Sequence, residues 1–213
     1  MRILGSYIRF VDAVIIANIL VFIAGLSKLP SDCGPAIDWV ACNFGLIPML
    51  AFSEPWRIIT SVFVHGGFNH LLMNTLALYF FGRYIGDILS ERRIIAIYLL
   101  GGLAGSLMYM LSAFIGVDAP MNAVVVGASG ALFALGGAIA VLTPKLQVMI
   151  FPFPIPMDMW KAELIIFLFV SFFPNVAWQG HLGGLLAGAL LGYYYKKKTL
   201  KVPEVVYFTT RYY

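Results

Sequence analysis

The chain has 213 residues, 61% of them hydrophobic and 11% charged, with a net charge of +4; soluble domains carry about 25% charged residues. That deficit, with a mean hydropathy of +0.90, excludes an ordinary water-soluble fold, because a soluble core cannot hide so much apolar surface and a bilayer can. Nucleic acid is excluded as a partner by the placement of the charge: basic residues gather at the ends of apolar runs, most densely at Lys196, Lys197, Lys198 and Lys201, which is a membrane-topology pattern.

Six apolar segments follow in chain order, at about 11–26, 68–85, 94–115, 129–143, 162–173 and 181–195. They predict an all-α polytopic membrane protein, a single domain over 1–213, with six transmembrane helices and a short tail, 196–213, to which the sequence assigns no role. The first segment is a retained span rather than a signal peptide, since no small-x-small cleavage site follows it. Placing the N-terminus inside puts 12 of the 14 basic residues on the inner side and only Lys28 and Arg57 outside, a positive-inside bias that makes both termini cytoplasmic in a cell-membrane protein. The tail includes five of those inner residues, Lys196, Lys197, Lys198, Lys201 and Arg211, and Arg2 precedes the first span. The long outer loop, 27–67, holds Trp39, Phe44, Trp56 and the apolar stretch Leu46 to Phe52, the pattern of an interfacial element. Its two cysteines, Cys33 and Cys42, make no metal-binding set; a disulfide and a pair of free thiols both fit the spacing.

Polar residues inside spans are costly and mark function. Ser129 is sixteen residues from Lys145, His181 fifteen from Lys196 and His70 thirteen from Arg83. At a rise of ~1.5 Å per residue these place the three groups ~20–24 Å above inner anchors, in a core ~30 Å thick. One shared depth on three spans is what a common site requires. The fourth and sixth segments are short because they start below the surface, where a cavity must receive them. Gly184, Gly188 and Gly192 form a ridge that lets backbones approach closely, bringing His181 toward Ser129. A serine beside a histidine is the arrangement a hydrolase needs, since the hydroxyl is a poor nucleophile until a base takes its proton. None of the ten acids falls at that depth beside His181, so the pair is a dyad, with Phe133, one turn after Ser129, available to stack on the imidazole. His70, Asn74 and the Ser129 backbone N–H are the candidate donors to an oxyanion.

These residues resemble the rhomboid family of intramembrane serine proteases. The nucleophile motif G-x-S-G stands as Gly127-Ala128-Ser129-Gly130, the second-span motif as His65, His70 and Asn74, the last-span motif as His181, Gly184 and Gly188, and the outer-loop pair as Trp56-Arg57. The resemblance implies a rhomboid-like bundle with a long first outer loop and a serine endopeptidase with a Ser129–His181 dyad. It implies oxyanion contacts from His70 and Asn74, substrate access gated by the fifth span and the 172–180 loop, and a structural role for Trp56 and Arg57. The substrates implied are single-pass membrane proteins cut near the outer leaflet; no cofactor or metal is implied, and the oligomeric state is left open. An inactive relative that binds or dislocates membrane proteins would lack the serine or the histidine, and a transporter would show inverted repeats. The sequence departs from the family pattern at Gly86, where a Glu is usual twelve residues after the Asn; Asp87 follows it.

Overall fold

The computed structural model describes residues 9–199 apart from 28, 35, 151–152, 172 and 175; Arg2, Lys28, Lys201, Arg211 and the tail beyond 199 lie outside the described residues. The chain folds as helices α1 (Phe10–Gly25), α2 (Trp39–Phe44), α3 (Arg57–Thr60), α4 (Phe68–Gly86), α5 (Glu91–Phe114) and α6 (Ser129–Leu142), strands β1 (Gln147–Ile150) and β2 (Phe153–Asp158), and helices α7 (Met159–Ser171) and α8 (Trp178–Thr199). Among the described residues, the six longest helices overlap the six apolar segments. By length and composition, α5 alone among the described residues is long and apolar enough to cross a membrane, with α1 and α6 as shorter apolar helices.

Helix α6 is the centre of the bundle and packs against α4, α5, α7 and α8. Its sequence, which mixes small residues with Leu, Phe and Ile, buries every position from Ala131 to Ile139. The α8 glycines explain how close α8 comes. A Cβ on Gly184 would overlap the carbonyl oxygen of Gly130, one on Gly188 that of Ala134, and one on Gly192 would stand 2.8 Å from Ala138 Cα. Four-residue spacing on one helix meets four-residue spacing on the other, which is small-xxx-small packing carried over about two turns. At the far end of this seam Lys196 Nζ donates to the Val141 carbonyl at 2.9 Å, closing the C-terminus of α6. There a cation also suits the helix dipole.

Helix α1 packs on α4, where a Cβ on Gly82 would stand 2.5 Å from Val11, and Asp12 pairs with Arg83 at 3.2 Å. In the outer loop, Arg57 is buried and its Nη1 donates to the carbonyls of Cys42 and Gly45 at 2.6 and 2.9 Å, while Trp56 Nε1 donates to Asn43 O at 3.3 Å. Cys33 and Cys42 are joined in a disulfide. Within the stretch Leu46 to Phe52, Leu46 and Ala51 are core and Met49 and Phe52 are exposed.

The all-α expectation is corrected between α6 and α7, where β1 and β2 pair antiparallel with Gln147 opposite Asp158. Pro154 and Pro156 lack the N–H a helix needs, and a two-stranded ribbon, all edge, tolerates them. Bonds from Lys161 and then Gln147 hold the exposed Asp158 carboxyl below the usual range. The boundaries of two helices also shift. Helix α7 starts three residues before the expected 162 and ends at Ser171, and α8 starts at Trp178 rather than 181 and runs on to Thr199, because the lysine run continues the helix instead of ending it.

Candidate active site

Ser129 is the first residue of α6, and the chain reaches it through Gly127, whose φ of 127° lies in a region other residues rarely adopt. A Cβ at Gly127 would also stand 2.7 Å from His70 Nε2 and 3.7 Å from Ser129 Oγ. This glycine therefore lets the loop pass between a histidine of α4 and the serine. His181 sits in the first turn of α8, buried, with Nε2 2.8 Å from Ser129 Oγ. Its other nitrogen, Nδ1, has no hydrogen-bond partner among the described residues. For Nε2 to accept from the hydroxyl, the neutral ring must carry its proton on Nδ1, an assignment from bonding logic.

The Phe133 ring lies 4.6 Å from the His181 ring at 35°, and its other side meets Phe167 of α7 edge-on at 5.8 Å. Gly130 faces the α8 backbone, with a Cβ there 3.3 Å from Gly180 O. Asn74 is buried, donates from Nδ2 to His70 O at 2.8 Å and leaves Oδ1 unbonded; its amide nitrogen keeps a second N–H. His65 is buried outside this contact, with Nδ1 3.3 Å from Phe63 O and its ring edge-on to His70 at 5.1 Å. Ser129, His181, His70 and Asn74 all line one cavity of about 1300 Å³, walled also by Val124 to Gly127, by Phe167 and Ser171 of α7, and by Trp178 and Gln179. Trp56 and Arg57 are not among the residues lining it.

Three features were not singled out by sequence. Gln179 is buried, and its amide donates to the carbonyls of Val117 and Asp118 at 3.3 and 2.7 Å. Trp178 Nε1 donates to Asp118 Oδ2 at 3.1 Å. Glu163 of α7 is 2% exposed with neither oxygen bonded among the described residues, lying in the notch left by Gly136. An acid within the apolar run 162–173 was a signal for the last.

The Rhomboid domain family matches residues 52–198. The chain is 34% identical over 161 residues to Rhomboid protein 1, mitochondrial, of Saccharomyces cerevisiae, covering 68% of this chain and 43% of that protein. It is 36% identical over 146 residues to RHOMBOID-like protein 5 of Arabidopsis thaliana, covering 66% and 44%. To Rhomboid protease GluP of Bacillus subtilis it is 31% identical over 140 residues, covering 66% and 26%. The chain thus spans less than half the length of each of these relatives. With a match that takes in everything from the outer-loop Trp56-Arg57 pair to the lysines of α8, the chain belongs to the rhomboid family.

Proposed function

We propose that this chain is an intramembrane serine endopeptidase in which Ser129 is the nucleophile and His181 the base. The observation that carries the reading is the 2.8 Å approach of Ser129 Oγ to His181 Nε2 inside a cavity that His70 and Asn74 also line. In this reading the chain is one membrane domain in which α1, α4, α5, α6, α7 and α8 cross the bilayer, both termini being cytoplasmic in the cell membrane. His181 takes the hydroxyl proton as Ser129 attacks the scissile carbonyl, and returns it to the leaving amine. The Ser129 N–H, free at the start of α6, and donors from His70 and Asn74 stabilise the oxyanion. Water entering the cavity then releases the acyl group. The substrates are single-pass membrane proteins, cut in the outer part of their span, and α7 with the 172–180 loop admits them; residues 172 and 175 of that loop lie outside the described residues. An inactive member of the family would need neither the nucleophile nor its contact with a base.

The test is reaction of the purified chain with a fluorophosphonate probe, alongside cleavage of a model single-pass substrate. Labelling at Ser129 and cleavage that both vanish in Ser129→Ala are expected. A wild-type protein that takes no label and cuts no substrate refutes the reading.

A further inference from the structure

A serine–histidine pair without an acid lacks the group that ordinarily holds the imidazole in line, and His181 Nδ1 has no partner among the described residues. The direction of the ring is left to Phe133, which touches one face, and to the placement of the α8 backbone. The first turn of α8 is held in a particular way. Gln179, two residues before His181 and 1% exposed, gives its amide hydrogens to two consecutive carbonyls, those of Val117 and Asp118. Asp118 has a φ of 45°, the left-handed conformation, and its carboxylate accepts from Trp178 Nε1. A side chain so deeply buried is ordered by these two bonds, since its Oε1 has no partner among the described residues.

The partner segment matters as much. Asp118 lies in the loop that joins α5 to Ser129 at the start of α6. That loop is pinned to the outer loop by reciprocal 2.8 Å bonds between Leu46 and Val125, by Met49 N to Met121 O at 3.0 Å, and by Gly127 N to Ser61 O at 2.9 Å. The segment delivering the base is therefore stitched to the segment delivering the nucleophile at one place.

We infer that Gln179, backed by the Trp178–Asp118 bond, is a positioning residue: it sets the first turn of α8 against the 118–128 loop and so fixes the His181–Ser129 geometry in place of a third catalytic member. The inference rests on the Ser129–His181 reading. Small misplacements of catalytic groups are expensive in rate, with ~1 Å costing ~100-fold, so the effect belongs in kcat and not in substrate binding.

The experiment uses the full chain in proteoliposomes and measures kcat, KM, the rate of fluorophosphonate labelling and thermal stability. Gln179→Met keeps the volume and removes the donors. Its kcat and labelling rate should fall ~10–100-fold, with KM within about twofold of wild type. Trp178→Phe removes only the indole donor. Asp118→Gly removes the carboxylate without straining the left-handed backbone, whereas Asp118→Asn keeps an acceptor. Trp178→Phe and Asp118→Gly should each slow kcat severalfold, their combination should be no slower than the worse single variant, and Asp118→Asn should retain the rate. This second set decides the matter if Gln179→Met does not fold. Wild-type labelling rates in Gln179→Met, additive losses in the Trp178 and Asp118 pair, or losses confined to KM or to stability overturn the inference. A wild-type chain that never labels at Ser129 instead overturns the catalytic reading beneath it.

Discussion

Ser129 Oγ lies 2.8 Å from Nε2 of His181, 52 residues further along the chain, and the contact joins the first residue of α6 to the first turn of α8. Groups acting as one unit fail together rather than by increments. Ser129→Ala and His181→Ala should each lower kcat by ~10⁴-fold or more, and the double variant should be no worse than the worse single one. Each protein should unfold within a few degrees of wild type, because each change removes one exchange of a hydrogen bond at a cavity wall. Cleavage assays beside thermal melts check both halves, and a His181→Ala enzyme with substantial turnover would show that another base serves Ser129.

Asn74 spends one amide hydrogen on the His70 carbonyl and has one left to give. Loss of a single oxyanion donor costs ~10²–10³ in kcat. With His70 and the Ser129 N–H beside it, Asn74→Ala should cost no more than that, less than loss of Ser129, and leave KM nearly unchanged. Weakened binding at unchanged turnover would make Asn74 a substrate-positioning residue instead. Gly127→Ala should be at least as damaging, because its methyl would stand 2.7 Å from His70 Nε2 at a φ of 127°.

The glycine ridge of α8 predicts an order of damage. At Gly184 and Gly188 an added methyl would overlap backbone carbonyls of α6, which have no rotamer to retreat into; at Gly192 it would meet Ala138 Cα at 2.8 Å, near the end of the seam. Overpacking costs about 1–3 kcal/mol or more. Gly184→Ala and Gly188→Ala should each destabilise by at least that much, and Gly192→Ala by less. Melting in detergent checks the order, and an undamaged Gly188→Ala would show that α6 and α8 are not locked.

Most of this seam is legible in the sequence, because periodicity along one helix is local information. The four-residue glycine spacing, the start of α6 at Ser129 after Gly127-Ala128, and the stacking position of Phe133 one turn later all follow from a single segment each. What the sequence leaves open is partnership. Spacing alone left Cys33 and Cys42 between bonded and free, and only their spatial meeting in the outer loop decides it. Gln179 meets carbonyls 62 and 61 positions away, and a carbonyl leaves no mark in the residue type that bears it. Lys196 reads as a topology signal, yet it also closes the end of α6. The proline-broken run from Gln147 to Asp158 carries too little alternation to announce a hairpin.

Glu163 and Gly136 form a matched pair across α7 and α6: a methyl on Gly136 would overlap the Glu163 carboxyl. A buried carboxyl with no bonded oxygen bears its full desolvation cost. Glu163→Met should therefore be neutral or stabilising, and Gly136→Ala should be strongly destabilising on its own. Combining Gly136→Ala with Glu163→Ala should recover much of that loss, which is the coupling expected of residues in contact. Additive effects in a four-way melting cycle would separate the two side chains. A Glu163→Met protein of normal stability but low turnover would assign the acid to substrate entry along α7.

The last prediction is where the cut falls, and the disulfide bears on it independently of counting basic residues. The end of α6 that carries Ser129 is tied to the outer loop through Gly127 N and Ser61 O at 2.9 Å, and that loop holds the Cys33–Cys42 disulfide. Disulfides persist on the oxidising side of a membrane. The opposite end of α6 is closed by Lys196 at the head of the lysine run, which the proposed orientation puts on the cytoplasmic side. The 14 residues of α6 span ~21 Å of a core ~30 Å thick, so in the proposed orientation, with the far end of α6 at the inner boundary, Ser129 would sit several ångströms inside the outer one, where the cavity would admit water for deacylation. A single-pass substrate should accordingly be cut within, or just outside, the outer part of its span, releasing its external domain. Mass spectrometry of both product termini locates the bond. After reduction, Cys33 and Cys42 should also react with a membrane-impermeant maleimide added from outside. Cuts confined to the cytoplasmic half of the substrate, with labelling only after permeabilisation, would invert the orientation and displace the site together.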